Sequence, residues 1–363
     1  MLESLCEEGG AGVMVMTMVD LIGKTPLIQL KGNVNGLAPV YAKLEMYNPF
    51  GMKDRVAKQI ILEAKRSGIL KEGAPIIESS SGTLALGVAL VGSYLGHEVH
   101  IITDPRIDSL THTKLKALGA TIHVVEKMGP TGGWQQARLN ALYEMLEQHP
   151  DAFWPKQYEN PQNPLAYHEL ADSVVDEIGN VDIVVGAVGS GGSLCGTAGR
   201  LKELNPDLKV VAVDAAGSSI FFQEDKPKRL QGGLGNSLQP KNVNYSIIDE
   251  VHWLNDEEAF NWTIELSRHE KIFAGNSSGS VYAVANWLSS HVDPSMKILC
   301  VFPDRGDRYY TTIYQEAFFT EHRLTPYSLN DQPEEVATIQ NTEKWSYLNF
   351  KQWKCSNEEA VIY

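Results

Sequence analysis

Short β-rich runs alternate along this chain with longer amphipathic segments, and that alternation admits few folds. Runs at 76–77, 99–102 and 122–125 are separated by segments of helical period at 83–94 and 109–118, and a further helix is predicted at 134–148. A second series follows: a helix near 165–178, a strand at 183–185, a helix near 194–204, and strands at 210–213 and 298–302. Strands spaced by helices of about ten to fifteen residues imply mostly parallel sheets with helices on both faces. Two such series predict an α/β protein of two lobes, with a break near 155–164. The segment beyond 320, with Pro326, Pro333 and many polar residues, reads as an extended peripheral tail.

Composition removes several function classes. With 43% hydrophobic and 21% charged residues, the 363-residue chain has the balance of an ordinary globular protein large enough for two lobes. A net charge of −14 argues against nucleic acid or an anionic membrane surface as partner. Cys6, Cys195, Cys300 and Cys355 are widely spaced, with no metal-ligand rhythm, and are expected to be reduced thiols. The N-terminus is acidic where a signal peptide would be basic, and the apolar stretch at 13–22 is interrupted by Thr17 and Asp20. A cytoplasmic protein is expected.

Five loops carry chemical signals. In Asn48-Pro49-Phe50-Gly51-Met52-Lys53-Asp54-Arg55, turn residues lead straight into an apolar-periodic helix through Val56, Ile60, Ile61 and Ala64. Lys53 at that junction can be aimed inward, where desolvation turns an amine into a base or a Schiff-base nucleophile; otherwise it sits on a solvated first turn. Gly189-Ser190-Gly191-Gly192-Ser193 follows an apolar strand and opens a helix, a ready cradle for phosphate. It is not a Walker A loop. Asp214, at the end of the next strand, keeps a dinucleotide site open as a rival on this loop alone. Ser79-Ser80-Ser81-Gly82-Thr83 also joins strand to helix and suits a carboxylate, or merely caps the helix. Residues 275–280 and 303–309 supply two more strand-end loops, and such ends converge on one cleft in open α/β sheets.

Taken together, over residues 20–315, these segments resemble the fold-type-II pyridoxal-phosphate enzymes of the cysteine synthase and cystathionine β-synthase family. Gly23-Lys24-Thr25-Pro26-Leu27, the Asn-Pro…Lys-Asp-Arg segment, the serine turn, Gln157-Tyr158-Glu159-Asn160-Pro161, the glycine loop and Ser277-Ser278-Gly279 carry the likeness in order. The resemblance implies a homodimer in which residues 1–47 plus 156–320 form a larger cofactor-binding lobe. Residues 48–155 would form a smaller, mobile substrate lobe, and 321–363 a peripheral C-terminal tail. By the same resemblance, Lys53 holds pyridoxal 5′-phosphate as a Schiff base and Gly189, Ser190, Gly191, Gly192 and Ser193 cradle its phosphate. Ser277 faces the pyridine nitrogen, where a neutral hydroxyl makes the ring a weaker electron sink. Ser80, Ser81, Gly82, Thr83 and Gln157 grip the amino-acid substrate. Thr83 stands where the family usually has an asparagine contacting the cofactor's 3′-oxygen.

Within the family, the segments Gly132-Gly133-Trp134…Arg138, 151–158, 213–221 and 302–309 resemble the siderophore-pathway synthases of N-(2-amino-2-carboxyethyl)-L-glutamate. Arg138 would then bind the phosphate of O-phospho-L-serine and Tyr158 would line the nucleophile pocket. The glycine loop departs from that branch, beginning with Gly189 rather than serine. The implied reaction is β-replacement on an O-activated L-serine, O-phospho-L-serine favoured, through α-aminoacrylate to a β-substituted alanine, with Lys53 moving the Cα proton. The alternatives are a cysteine synthase using O-acetyl-L-serine and sulfide, and, from another class, a nucleotide-binding oxidoreductase.

Overall fold

The computed structural model describes residues 16–31, 36–128, 133–226 and 228–357. Cys6, Gly132 and the acidic start of the chain lie outside the described residues. β1 (Leu27–Gln29) and β2 (Val40–Lys43) pair antiparallel. β3 (Ile76–Ser79), β4 (Val99–Thr103) and β5 (Thr121–Val124) make a three-stranded parallel sheet, with Ile76 opposite Val99 and Ile101 opposite Ile122. β6 (Ile183–Ala187), β7 (Lys209–Ala215), β8 (Glu250–Leu254), β9 (Ile298–Val301), β10 (Glu334–Glu335) and β11 (Ser346–Asn349) complete a second sheet of eight strands. Its order is β1-β2-β9-β6-β7-β8-β11-β10, and its central pairs are parallel. The result is the expected two-lobed α/β fold. Every residue of β6 and β9 is buried, because helices cover both faces of a parallel sheet and the strands read as unbroken apolar runs.

Two of the strands missing from the sequence reading, β2 and β8, share a cause. β2 ends in Lys43, whose buried amine pairs with Glu177 at 3.0 Å. β8 carries Glu250 and His252, which read as loop until their 2.9 Å pairing in the interior is seen. The helix expected at 165–178 is two pieces, Gln162–Leu165 and His168–Ile178. Among the described residues no helix is long and apolar enough to cross a membrane, and Cys195, Cys300 and Cys355 are free.

Helices Lys53–Arg66 and Thr83–Tyr94 pack face to face beside the small sheet. Gly87 makes that approach possible: a Cβ there would lie 2.9 Å from Asp54 Oδ1 and 3.1 Å from the Ala57 Cβ. At the far edge, β11 extends the large sheet antiparallel to β8. Trp345 just before it is fully buried, donating from Nε1 to His252 Nδ1 at 3.1 Å and from its backbone N–H to Glu258 Oε1 at 2.7 Å. Trp345→Ala is expected to destabilise the protein by about 3–5 kcal/mol through the cavity it leaves. Urea unfolding checks this; an unchanged midpoint would mean that β11 is not anchored by packing.

Candidate active site

Lys53 is the first residue of its helix. The turn before it is pinned from both sides. The Met52 N–H donates to the Pro303 carbonyl at 2.9 Å and the Phe50 N–H to Asp54 Oδ2 at 2.7 Å. Gly51, at φ +132°, passes so close to Pro303 that a Cβ would sit 3.1 Å from its carbonyl oxygen. Two residues on, buried Arg55 meets Glu45 bidentately at 2.7 and 3.0 Å and donates to the Gly23 carbonyl at 3.0 Å. Thr25 and Asn48 donate to the same carboxylate at 2.7 and 2.8 Å. The Gly23–Thr25 motif and Asn48 are therefore anchors for the start of the Lys53 helix.

The Lys53 amine opens on a cavity of about 470 Å³ at the C-terminal ends of β3, β6 and β9, and donates to Gln157 Oε1 at 3.2 Å. Burial lowers its proton affinity and the Arg308 guanidinium lowers it further, while Glu78 and Asp304 oppose. The serine turn forms another wall, with Ser80, Ser81, Gly82 and Thr83 at the N-terminus of helix Thr83–Tyr94, where backbone N–H groups favour an anion. Ser277 enters from helix Asn276–Ser289; it is buried and its Oγ has no partner, as is that of Ser278.

The glycine loop reaches the cavity with Gly189 and Ser190. Gly191, at φ +82°, and Gly192 make the turn into the following helix, and Ser193 is that helix's second residue. A Cβ at Gly192 would fall 2.0 Å from Asn163 Oδ1, so only glycine lets the loop lie against Asn163. Asn163 in turn donates to Ser190 Oγ at 3.1 Å and to the Gln157 carbonyl at 2.7 Å, and Asn242 donates to that carbonyl at 2.9 Å. Asp214 is buried beside Gly235, its Oδ1 accepting from the Ala215 N–H at 2.8 Å, and it forms no part of the cavity wall. The acidic residue that would receive a dinucleotide's ribose is thus absent from this cleft.

Arg138, Gln157 and Tyr158 line the same cavity. Arg138 is already engaged, donating from Nη1 to Ser81 Oγ at 3.3 Å and pairing closely with Asp104. The sequence singled out the 303–309 loop that brings Asp304 and Arg308 to the cavity but missed Asp104, Arg106 and Asp108; together these carry most of the remaining charge around it. Burial pushes the Asp104 carboxyl up, but the hydrogen bond from Arg106 and the charge of Arg138 hold it below its ordinary value. Arg308 pairs with Asp108 at 3.2 Å and Asp304 at 3.6 Å. Only tertiary structure gathers these residues from loops after β4 and β9.

A family model described as pyridoxal-phosphate dependent enzyme matches residues 18–304. An O-acetylserine dependent cystathionine β-synthase from Helicobacter pylori is 30% identical, with a TM-score of 0.77, over 84% of this chain and 100% of that one. A hydrogen sulfide-producing enzyme from Fusobacterium nucleatum is 29% identical, with a TM-score of 0.76, over 82% and 100%. O-acetylserine sulfhydrylase isoform 3 from Entamoeba histolytica is 28% identical, with a TM-score of 0.77, over 85% and 94%.

The lowered proton affinity of Lys53 has a direct readout. In the cofactor-free protein, acetic anhydride labelling followed by peptide mass spectrometry should give Lys53 a pH midpoint below the ~10.4 of an ordinary lysine. A midpoint shared with the exposed lysines would contradict the desolvated setting.

Proposed function

The chain belongs to the pyridoxal-phosphate-dependent enzymes, and from that premise we propose that it catalyses β-replacement on an O-activated L-serine, with O-acetyl-L-serine as donor. The observation carrying this reading is the convergence of Lys53, the serine turn, the glycine loop and the unpartnered Ser277 hydroxyl on one cavity. The set fits the cofactor. Lys53 would hold its aldehyde carbon, the loop from Gly189 and the helix N-terminus behind it the phosphate, and Ser277 the ring nitrogen. When bound, pyridoxal phosphate supplies the electron sink that makes the substrate Cα acidic and lets a β-substituent leave.

The protein's own groups supply the rest. Backbone N–H groups and hydroxyls from Ser80 to Thr83 grip the substrate carboxylate, with Gln157 opposite. The desolvated Lys53 amine takes the proton from Cα and later returns it. Overall the Cβ–O bond breaks with its electron pair leaving on oxygen, and the nucleophile bonds to Cβ and loses its proton. No oxidant or reductant is required. Closure of the cleft would keep water from competing with the nucleophile, and a homodimer is the assembly we propose.

For the donor, two observations compete. The sulfhydrylase and the O-acetylserine dependent synthase among the similar structures support an acetyl donor for this chain. The state of Arg138 supports it too: a phosphate arriving there would compete with the buried Asp104 carboxylate already paired to it. The second reading, O-phospho-L-serine and a 2,3-diaminopropionate precursor, draws on Arg106, which shares Asp104 with Arg138 and leaves one positive charge in excess.

Borohydride reduction of the loaded enzyme should fix the cofactor to the peptide holding Lys53. Lys53→Ala should lose that adduct and at least roughly 10²–10⁴-fold in turnover. Near-normal turnover by this variant would defeat the assignment. Comparing kcat/KM for the two donors should favour O-acetyl-L-serine; a preference for O-phospho-L-serine that Arg138→Ala abolishes would instead establish the second reading.

A further inference from the structure

Helix Phe350–Ser356 follows β11 and supplies nothing to the cavity wall, but it is clamped onto the segment that backs the glycine loop. Phe350 is fully buried, edge to face with Phe221 at a centroid distance of 5.5 Å. Trp353 stacks on Phe222 at 6.1 Å, and the Phe222 ring lies 5.3 Å from that of Tyr245. Phe222 adopts φ +62°, an outlier for a bulky residue that persists only where packing holds it. Lys354 completes the clamp. Its amine donates to the carbonyls of Tyr245, Ser246 and Ile248 at 2.5, 3.1 and 2.8 Å. A cation is the favourable charge over carbonyls at the end of the short 3₁₀ turn Tyr245–Ile247. The Lys351 N–H adds a bond to the Asp249 carbonyl at 2.9 Å.

The residues just before that turn lie against the glycine loop. A Cβ at Gly191 would fall 2.7 Å from the Val243 nitrogen and 2.8 Å from the Asn242 carbonyl carbon. The Asn244 N–H donates to Cys195 Sγ at 3.2 Å, on the helix that the loop opens. Tyr245 donates from its hydroxyl to the Ile220 carbonyl at 2.7 Å, tying the turn to the same aromatic cluster. Residues 242–249 thus run without a break from the C-terminal clamp to the backbone of the loop. Backbone N–H groups bind an anion tightly only when their directions are set beforehand, because ordering them on binding costs affinity.

We infer that helix Phe350–Ser356 is a positioning element for the cofactor's phosphate: it fixes residues 242–249 from behind, and they hold the glycine loop in its binding shape. Trp353 and Lys354 are its positioning residues. This rests on the reading of Gly189 to Ser193 as the phosphate cradle and extends it to a segment that lines no part of the cavity. The clamp bears on the phosphate end alone. Lys53 is set by the Pro303 carbonyl and Asp54, and Ser277 by its own helix, so the aldehyde and ring contacts do not depend on it.

The test titrates the full chain, stripped of cofactor, with pyridoxal phosphate and with pyridoxal, which has the same aldehyde and ring but no phosphate. Binding is read from the visible absorbance, and the native protein should hold pyridoxal phosphate the more tightly. Lys354→Met keeps the stem and removes only the donors, so folding is not at risk; Trp353→Ala removes the stacked, half-buried ring. Each should weaken pyridoxal phosphate at least about tenfold while leaving pyridoxal within about twofold. Lys354→Arg, which restores a cation with several N–H donors, should recover most of the loss. Leu115→Ala, buried in helix Ser109–Ala117 beside the small sheet, should lower the urea midpoint without changing the ratio of the two affinities. An unchanged ratio in both clamp variants, or the same change in Leu115→Ala, would overturn the inference while leaving the cofactor site in place. A native protein that binds pyridoxal as tightly as pyridoxal phosphate would bring down the cradle itself, and the inference with it.

Discussion

The buried pair between Arg55 and Glu45 decides where Lys53 stands. Neither side chain has appreciable access to water, and the carboxylate is completed by Thr25 and Asn48. A pair so enclosed adds little stability over an apolar substitute, but losing one partner strands a buried charge at about 3–5 kcal/mol. That is a large share of the ~5–15 kcal/mol available to a typical domain. Arg55 lies two residues from Lys53 on the same helix and is also tied back to the Gly23 carbonyl. It therefore fixes the entry of the chain through Asn48 and Gly51, and with it the direction in which the lysine points.

Charge in the cleft is distributed so that one amine is easily deprotonated while anions are welcome. Burial and Arg308 act on Lys53 in the same direction, and Glu78 and Asp304 keep the shift from running further. The arginines are each held by carboxylates, so their positions are set before any substrate arrives. Pre-positioned cations beside a desolvated base are the electrostatic basis for a reaction that must bind a carboxylate and expel an oxygen leaving group.

The sequence was legible where a single local pattern sufficed. The alternation of strand and helix gave the two-lobed α/β fold, and the loops around Lys53, Ser80, Gly189 and Ser277 came together on one cavity. The unread parts depend on pairing across long separations. Lys43 with Glu177, and Trp345 with both His252 and Glu258, look polar or isolated until the fold satisfies them. The same holds at the site. Asp104 and Arg138 are 34 residues apart, and Arg308 and Asp108 are 200 apart, so no local motif announces either pair. Asn163 left no signal of its own, although the need for glycine at 192 is its imprint.

The central claim is that Lys53 and its loops run β-elimination on an O-activated serine with pyridoxal phosphate. The most direct measurement follows the visible spectrum of the loaded enzyme as O-acetyl-L-serine is added without acceptor, with acetate assayed in parallel. The account predicts that the cofactor band shifts and that acetate is released in step, both changes being lost in Lys53→Ala. A protein that takes up no pyridoxal phosphate, or whose bound cofactor is unchanged by O-acetyl-L-serine and O-phospho-L-serine alike, would contradict it.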